Sequence, residues 1–220
     1  MTTSPTTASS DAVLNQAQQA ELTPSDVIDR LEAGNARWVA GALTARNHLA
    51  QIPVATAGQY PMAAVVSCVD SRVPVESVFD CGIGDLFVAR VAGNFVNVDI
   101  LGSLEFACHV SGSKVIVVLG HESCGAVKSA IDGVELGNIT EMLAKITGAV
   151  EATPTDGDRT SANVDFVAAV AEANVRNTIE RIRAESPILA QMEADGDLAI
   201  VGAVYQLSSG RVDFLDAGDA

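Results

Sequence analysis

The chain has 220 residues, 48% hydrophobic and 19% charged, which excludes a disordered polymer and gives enough apolar side chain for one sizeable core. Its 13 Lys and Arg stand against 28 Asp and Glu, a formal net charge of −15. That balance argues against binding to nucleic acid or to an anionic membrane surface, both of which need basic side chains against phosphate. No run of about 18 apolar residues occurs, so no segment is expected to cross a membrane.

In chain order, residues 1–22 are rich in Thr, Ser, Ala and Gln and read as a flexible N-terminal arm. The first basic residue is Arg30, and no signal peptide is visible, which with the four cysteines points weakly to a reducing, cytoplasmic setting. A periplasmic or secreted protein whose signal has been removed is the alternative. Thr23-Pro24-Ser25-Asp26 is a helix start, and Val27, Leu31, Asn35 and Trp38 then share one helical face, interrupted at Gly34. A short helix carrying the only Trp must pack either on its own domain or on a partner subunit.

From Met62 onward apolar runs of strand length alternate with helical patterns. The runs are 62–67, 86–90, 115–119 and 198–204; the helical patterns include 100–110 and a longer one from Val164 to Ile182, with Ser161 a candidate N-cap. This alternation predicts an α/β fold: a parallel sheet flanked by helices on both faces. Residues 205–215 read as a closing hairpin turning at Ser209-Gly210, and 151–163 as a surface loop. Residues 23–220 are expected to form a single domain.

Two segments follow apolar strands, where sites form in parallel sheets. They are Ser67-Cys68-Val69-Asp70-Ser71-Arg72 and Gly120-His121-Glu122-Ser123-Cys124-Gly125. Cys68, His121 and Cys124 make a zinc set of two thiolates and an imidazole, and three protein ligands leave a fourth tetrahedral position open, as in catalytic sites. Cys124 also precedes a helix starting near Gly125, a place that suits either a ligand or a nucleophile. Asp70 beside Arg72 is either an oriented, ionised carboxylate at the metal, a structural loop pair, or itself a fourth ligand. Cys81 and Cys108 read as small buried apolar residues, and His48 and His109 as ordinary side chains.

These residues resemble the β-class carbonic anhydrases. The motif Cys68-x-Asp70-x-Arg72, followed 53 positions after Cys68 by His121-x-x-Cys124, is that family's signature. Further likeness lies in Glu32–Trp38, Gly84–Arg90, Ala92-Gly93-Asn94 and the hairpin, so that it spans roughly residues 25 to 215. The resemblance implies one Zn2+ per chain on Cys68, His121 and Cys124, and a catalytic dyad of Asp70 and Arg72. It implies Gln59, Phe87, Ala92 and Gly93 at the substrate cleft, Gln59 acting across a dimer interface. The activity implied is reversible hydration of CO2 to bicarbonate and a proton by zinc-bound hydroxide. A homodimer, in some members a tetramer, is implied too, with residues 23–45 a helical arm on the partner. Members with a non-catalytic bicarbonate site carry Trp three residues before the first zinc cysteine; here that position is Val65.

Other readings use the same residues. A CS2 or COS hydrolase shares the scaffold and differs in its access route. A metal-free cysteine hydrolase would use Cys124 and His121. A non-catalytic zinc protein would have a closed Cys2HisAsp site.

Overall fold

Four of the apolar runs become strands β1 (Ala63–Ser67), β2 (Leu86–Arg90), β3 (Val115–His121) and β4 (Ala199–Tyr205), and the hairpin closes with β5 (Val212–Phe214). The computed structural model describes residues 12–216, so the outer part of the expected arm and the last four residues of the expected domain lie outside the described residues. The sheet runs β2-β1-β3-β4-β5; the first four strands are parallel and β5 is antiparallel to β4. β1 and β3 are buried along their whole length, as a sheet covered on both faces requires, whereas β2 at the edge is half-buried.

The helices in chain order are α1 (Gln16–Ala20), α2 (Pro24–Val39), α3 (His48–Ala55), α4 (Val75–Val78), α5 (Val98–Glu105), α6 (Gly125–Ile131), α7 (Gly137–Leu143), α8 (Thr147–Ala152), α9 (Val164–Glu185) and α10 (Pro187–Ala194). A π-helical turn, Phe106–Val110, continues α5. None of the described helices is long and apolar enough to cross a membrane.

Side chains alternate across the sheet. Val65, Val117 and Leu119 join Val27 and Leu31 of α2 and Phe79 in one core. Val66, Ile116 and Val118 join Leu104, Val175, Ile179 and Ile182 in the other. α9 lies close on the sheet because two strand residues lack side chains. A Cβ on Gly120 would stand 2.7 Å from Val175 Cγ2, and one on Gly202 would stand 2.8 Å from Val175 Cγ1.

Two expectations are corrected. Residues 12–22 are not an arm free of the domain: Gln19 of α1 is buried, and its Nε2 donates to the carbonyls of Pro61 at 2.7 Å and Ser111 at 2.9 Å. The inner face of α2 packs on its own chain, the first of the two placements open to it, while Val39 at its end stays 49% exposed. Gly34, the break in its sequence pattern, is the point of contact, since a Cβ there would meet the Phe79 carbonyl oxygen at 2.0 Å. Asn35 beside it donates to the carbonyls of Val78 and Gly210 and accepts from Val212 N, which binds the helix to the hairpin. Finally, Asn163 rather than Ser161 caps α9, accepting from Phe166 N; Ser161 is drawn away by Asp132, which accepts from its backbone N–H and its hydroxyl. The start expected at Thr23 is present as a reciprocal capping box with Asp26.

Candidate metal centre

The site is built at the carboxyl ends of β1 and β3, which are neighbours in register, Ser67 opposite Leu119. Cys68 follows the last residue of β1, His121 is the last residue of β3, and Cys124 is the N-cap of α6. Ser123 adopts a left-handed backbone conformation, φ 54°, that folds the short link between His121 and Cys124 back on itself.

All three side chains are buried, and their ligand atoms lie within 4.8 Å of one another. The two sulfurs are 3.9 Å apart. Two thiolates bound tetrahedrally at a zinc–sulfur distance of about 2.3 Å would stand about 3.8 Å apart, so the spacing fits the ion. His121 supplies the third donor. Its Nδ1 lies 2.9 Å from the Glu122 carbonyl oxygen, and that bond makes Nδ1 the protonated nitrogen. Nε2 is then a bare lone pair, buried and without a hydrogen-bond partner. A buried orphan acceptor is costly unless something binds it, and a metal ion is the partner its two sulfur neighbours call for.

The thiols are electrostatically linked. The hydrogen bond from Cys124 holds Cys68 well below an ordinary thiol, with help from the Gly93 N–H. Cys124 is pushed up, first by that same bond to Cys68 and then by burial. A divalent cation removes the conflict by accepting both sulfurs as thiolates.

Asp70 stands at the mouth of this cluster. Arg72 donates to its carboxylate from Nε at 2.9 Å, from a terminal guanidinium nitrogen at 2.7 Å and from the backbone N–H at 2.9 Å. Arg72 is the main reason the Asp70 carboxyl lies far below the usual range. Asp70 Oδ2 is 3.9 Å from His121 Nε2, close to the donor set while committed to Arg72.

Sequence reasoning missed Arg90. Its guanidinium donates to the carbonyls of Cys68 at 2.9 Å and Asp70 at 2.6 Å, tying the loop that carries both residues to the end of β2. The signal was present as a lone Arg closing an apolar run. Of the expected cleft residues, Gly93 reaches the cluster: its N–H donates to Cys68 Sγ at 3.4 Å. Ala92 is half-buried in the same turn. Phe87 lies on β2 with its ring centroid 6.2 Å from that of Phe106 in an edge-on arrangement, lining a cavity of about 640 Å³ with Ala64, Val98 and Gly102. Gln59 is exposed on the link between α3 and β1. Cys108 is buried, which pushes its thiol up to about 12, while Cys81 is half-buried and donates to the Phe79 carbonyl.

A sequence profile described as carbonic anhydrase matches residues 63–212. Carbonic anhydrase 2 of Mycobacterium tuberculosis is 36% identical over 190 residues, which cover 82% of this chain and 87% of that protein. A carbonic anhydrase of Mycolicibacterium smegmatis is 38% identical over 185 residues, covering 83% and 89%. Among solved structures, one from a study of two tetrameric β-carbonic anhydrases of Sordaria macrospora superposes with a TM-score of 0.66 at 25% identity, covering 77% of this chain and 87% of that one.

Proposed function

The chain belongs to the β-class carbonic anhydrases, enzymes of reversible CO2 hydration, and on that premise we propose which of its residues carry the reaction. Cys68, His121 and Cys124 hold one zinc ion per chain. The observation that carries this assignment is the buried, unpartnered His121 Nε2 beside two thiol sulfurs. A zinc ion there supplies Lewis acidity, the means by which water becomes a nucleophile near neutral pH.

Asp70 and Arg72 act as the orienting pair. Arg72 fixes the plane of the carboxylate with two side-chain bonds, so Asp70 stays ionised and cannot swing freely. An ionised carboxylate only accepts, so it selects water molecules that point a hydrogen toward it and a lone pair toward the substrate. Its engagement with Arg72 also supports a site with an open fourth position over one closed by Asp70. Phe87, Ala92 and Gly93 give the cleft its apolar wall, suited to a linear, uncharged substrate, and Gln59 donates to that substrate from the partner subunit. Two thiolates cancel the charge of a divalent zinc, so water is acidified less than at an all-imidazole site and turnover rises toward alkaline pH.

The assembly proposed is a homodimer, with a tetramer as its further step. Support comes from the unpaired outer edge of β2 and from Leu49, Ile52 and Val54 of α3, large apolar side chains all more than half exposed. The setting proposed is the cytoplasm, where the four free thiols stay reduced.

The test is stopped-flow CO2 hydration by protein of measured zinc content, from about pH 6.5 to about pH 9, where a metal-bound water titrates. The expected result is one zinc per chain and turnover that rises with pH. Activity from metal-free protein would overturn the ligand assignment. Zinc-loaded protein that is inactive on CO2 but hydrolyses CS2 or COS would overturn the substrate.

A further inference from the structure

Asn174 is, with Thr178, one of two polar residues on the buried face of α9, which otherwise packs through residues such as Val167, Val170, Val175 and Ile182. It is 2% exposed. An amide buried that deeply must be hydrogen-bonded, and its Nδ2 donates to the Gly93 carbonyl oxygen at 2.8 Å. The other end of the same glycine donates its N–H to Cys68 Sγ at 3.4 Å.

Gly93 cannot hold this orientation by itself. Its φ is 86°, in the left-handed region, and a Cβ would stand 2.4 Å from Ile146 Cδ1, so the residue is glycine by steric demand and has no side chain to steady its peptides. The steadying contact on its carbonyl is Asn174. Asn174 in turn is fixed because the next residue, Val175, is seated in the gaps left by Gly120 and Gly202. A rigid sequence of contacts therefore runs from the sheet through α9 and the Gly93 peptide to a sulfur of the donor set.

We propose that Asn174 is a positioning residue for the metal centre: by anchoring the Gly93 carbonyl it keeps the Gly93 N–H on the Cys68 sulfur. This rests on the reading of Cys68 as a metal ligand. An N–H donor on a thiolate withdraws electron density from sulfur, so the ligand gives less charge to the ion and more positive charge is left for the reaction. A role in packing alone would leave the sulfur's electronic state unchanged.

The test replaces zinc by cobalt(II) in the intact protein and records the thiolate-to-cobalt charge-transfer band in wild type, Asn174→Leu and Asn174→Ser. Loss of the donor raises the energy of the sulfur electrons, so the band is expected at longer wavelength in both variants. A wild-type protein that binds cobalt without any such band would overturn the cysteine-ligand reading itself. A wild-type band that stays at the same wavelength in a folded variant would overturn the role of Asn174 and leave the ligand reading intact. Should both variants fail to fold, the wild type loaded with cadmium-113 still decides. A scalar coupling from the metal to the Gly93 amide proton through the Cys68 sulfur is expected, and its absence would overturn the proposal.

Discussion

Asp80→Asn tests how the N-terminal third of the chain is fastened to the sheet. Asp80 has a left-handed backbone, φ 49°, and its side chain is 1% exposed. Its carboxylate accepts from Arg37 Nε at 2.5 Å, from the Thr44 hydroxyl at 2.7 Å, from Thr44 N at 3.2 Å and from Arg46. Asparagine tolerates this backbone region and keeps the shape, but both carboxylate oxygens accept, so the substitution removes the charge and turns one acceptor into an NH2 facing N–H donors. Removing one partner of a buried ion pair costs about 3–5 kcal/mol, and the retained amide oxygen places this case near the lower end. Burial alone would raise the Asp80 carboxyl; the bonds from Arg37, Thr44 and Arg46 outweigh it and hold the group at about 2.

The folded carboxyl thus binds its proton more weakly than the unfolded one. Its contribution is complete above the unfolded value of 3.8 and is lost as pH falls through about 2. Linkage makes this about 2 kcal/mol in all, of which about 1 kcal/mol is gone by about pH 3. Urea unfolding of both metal-free proteins should show wild type ahead by about 3 kcal/mol at neutral pH, with the gap narrowing toward acid. A neutral-pH gap below about 1 kcal/mol, or one that widens toward acid, would refute the reasoning.

Three further outcomes are expected. His121→Ala and Cys124→Ser should lose metal and CO2 hydration together, read by metal analysis on the same samples as the kinetics. Asp70→Ala should keep its metal and lose turnover by about 10²-fold or more, the scale of a positioned proton acceptor; normal turnover would remove Asp70 from the mechanism. Gly93→Ala should lower the midpoint of thermal unfolding, because overpacking against Ile146 costs about 1–3 kcal/mol and the left-handed backbone adds about 1–2 kcal/mol.

The strands were legible because each is an unbroken apolar run, the pattern a doubly covered sheet imposes. The convergence of Cys68, His121 and Cys124 was legible because ligation constrains residue type and spacing together. The helix start at Thr23 was readable from local capping chemistry. The relation of Gly34 to Phe79, and of Gln19 to Pro61, was hidden, since a close approach between distant segments leaves no periodic mark in either. Gly34 even argued the wrong way: a local propensity penalty masked the closest packing of α2. Ser161 and Asn163 are both good caps by type, and only the distant carboxylate of Asp132 decides between them. Nothing near Asn174 in the sequence points to Gly93, because that partner is 81 positions away.

The three candidate metal ligands lie at or just beyond the ends of two strands whose pairing fixes where they meet. Ser67 faces Leu119 across β1 and β3, so Cys68 falls beside the end of β3 only in that register. A slip of one residue would carry Cys68 about 3.3 Å along the sheet and turn its side chain to the opposite face. A coordination sphere tolerates distance errors of only about 0.2 Å, so a slipped chain is unable to hold the ion. A metal ion held there would therefore stabilise only those chains whose central strands have paired correctly. The register of β1 against β3 is thus a condition for the donor set as well as for the sheet.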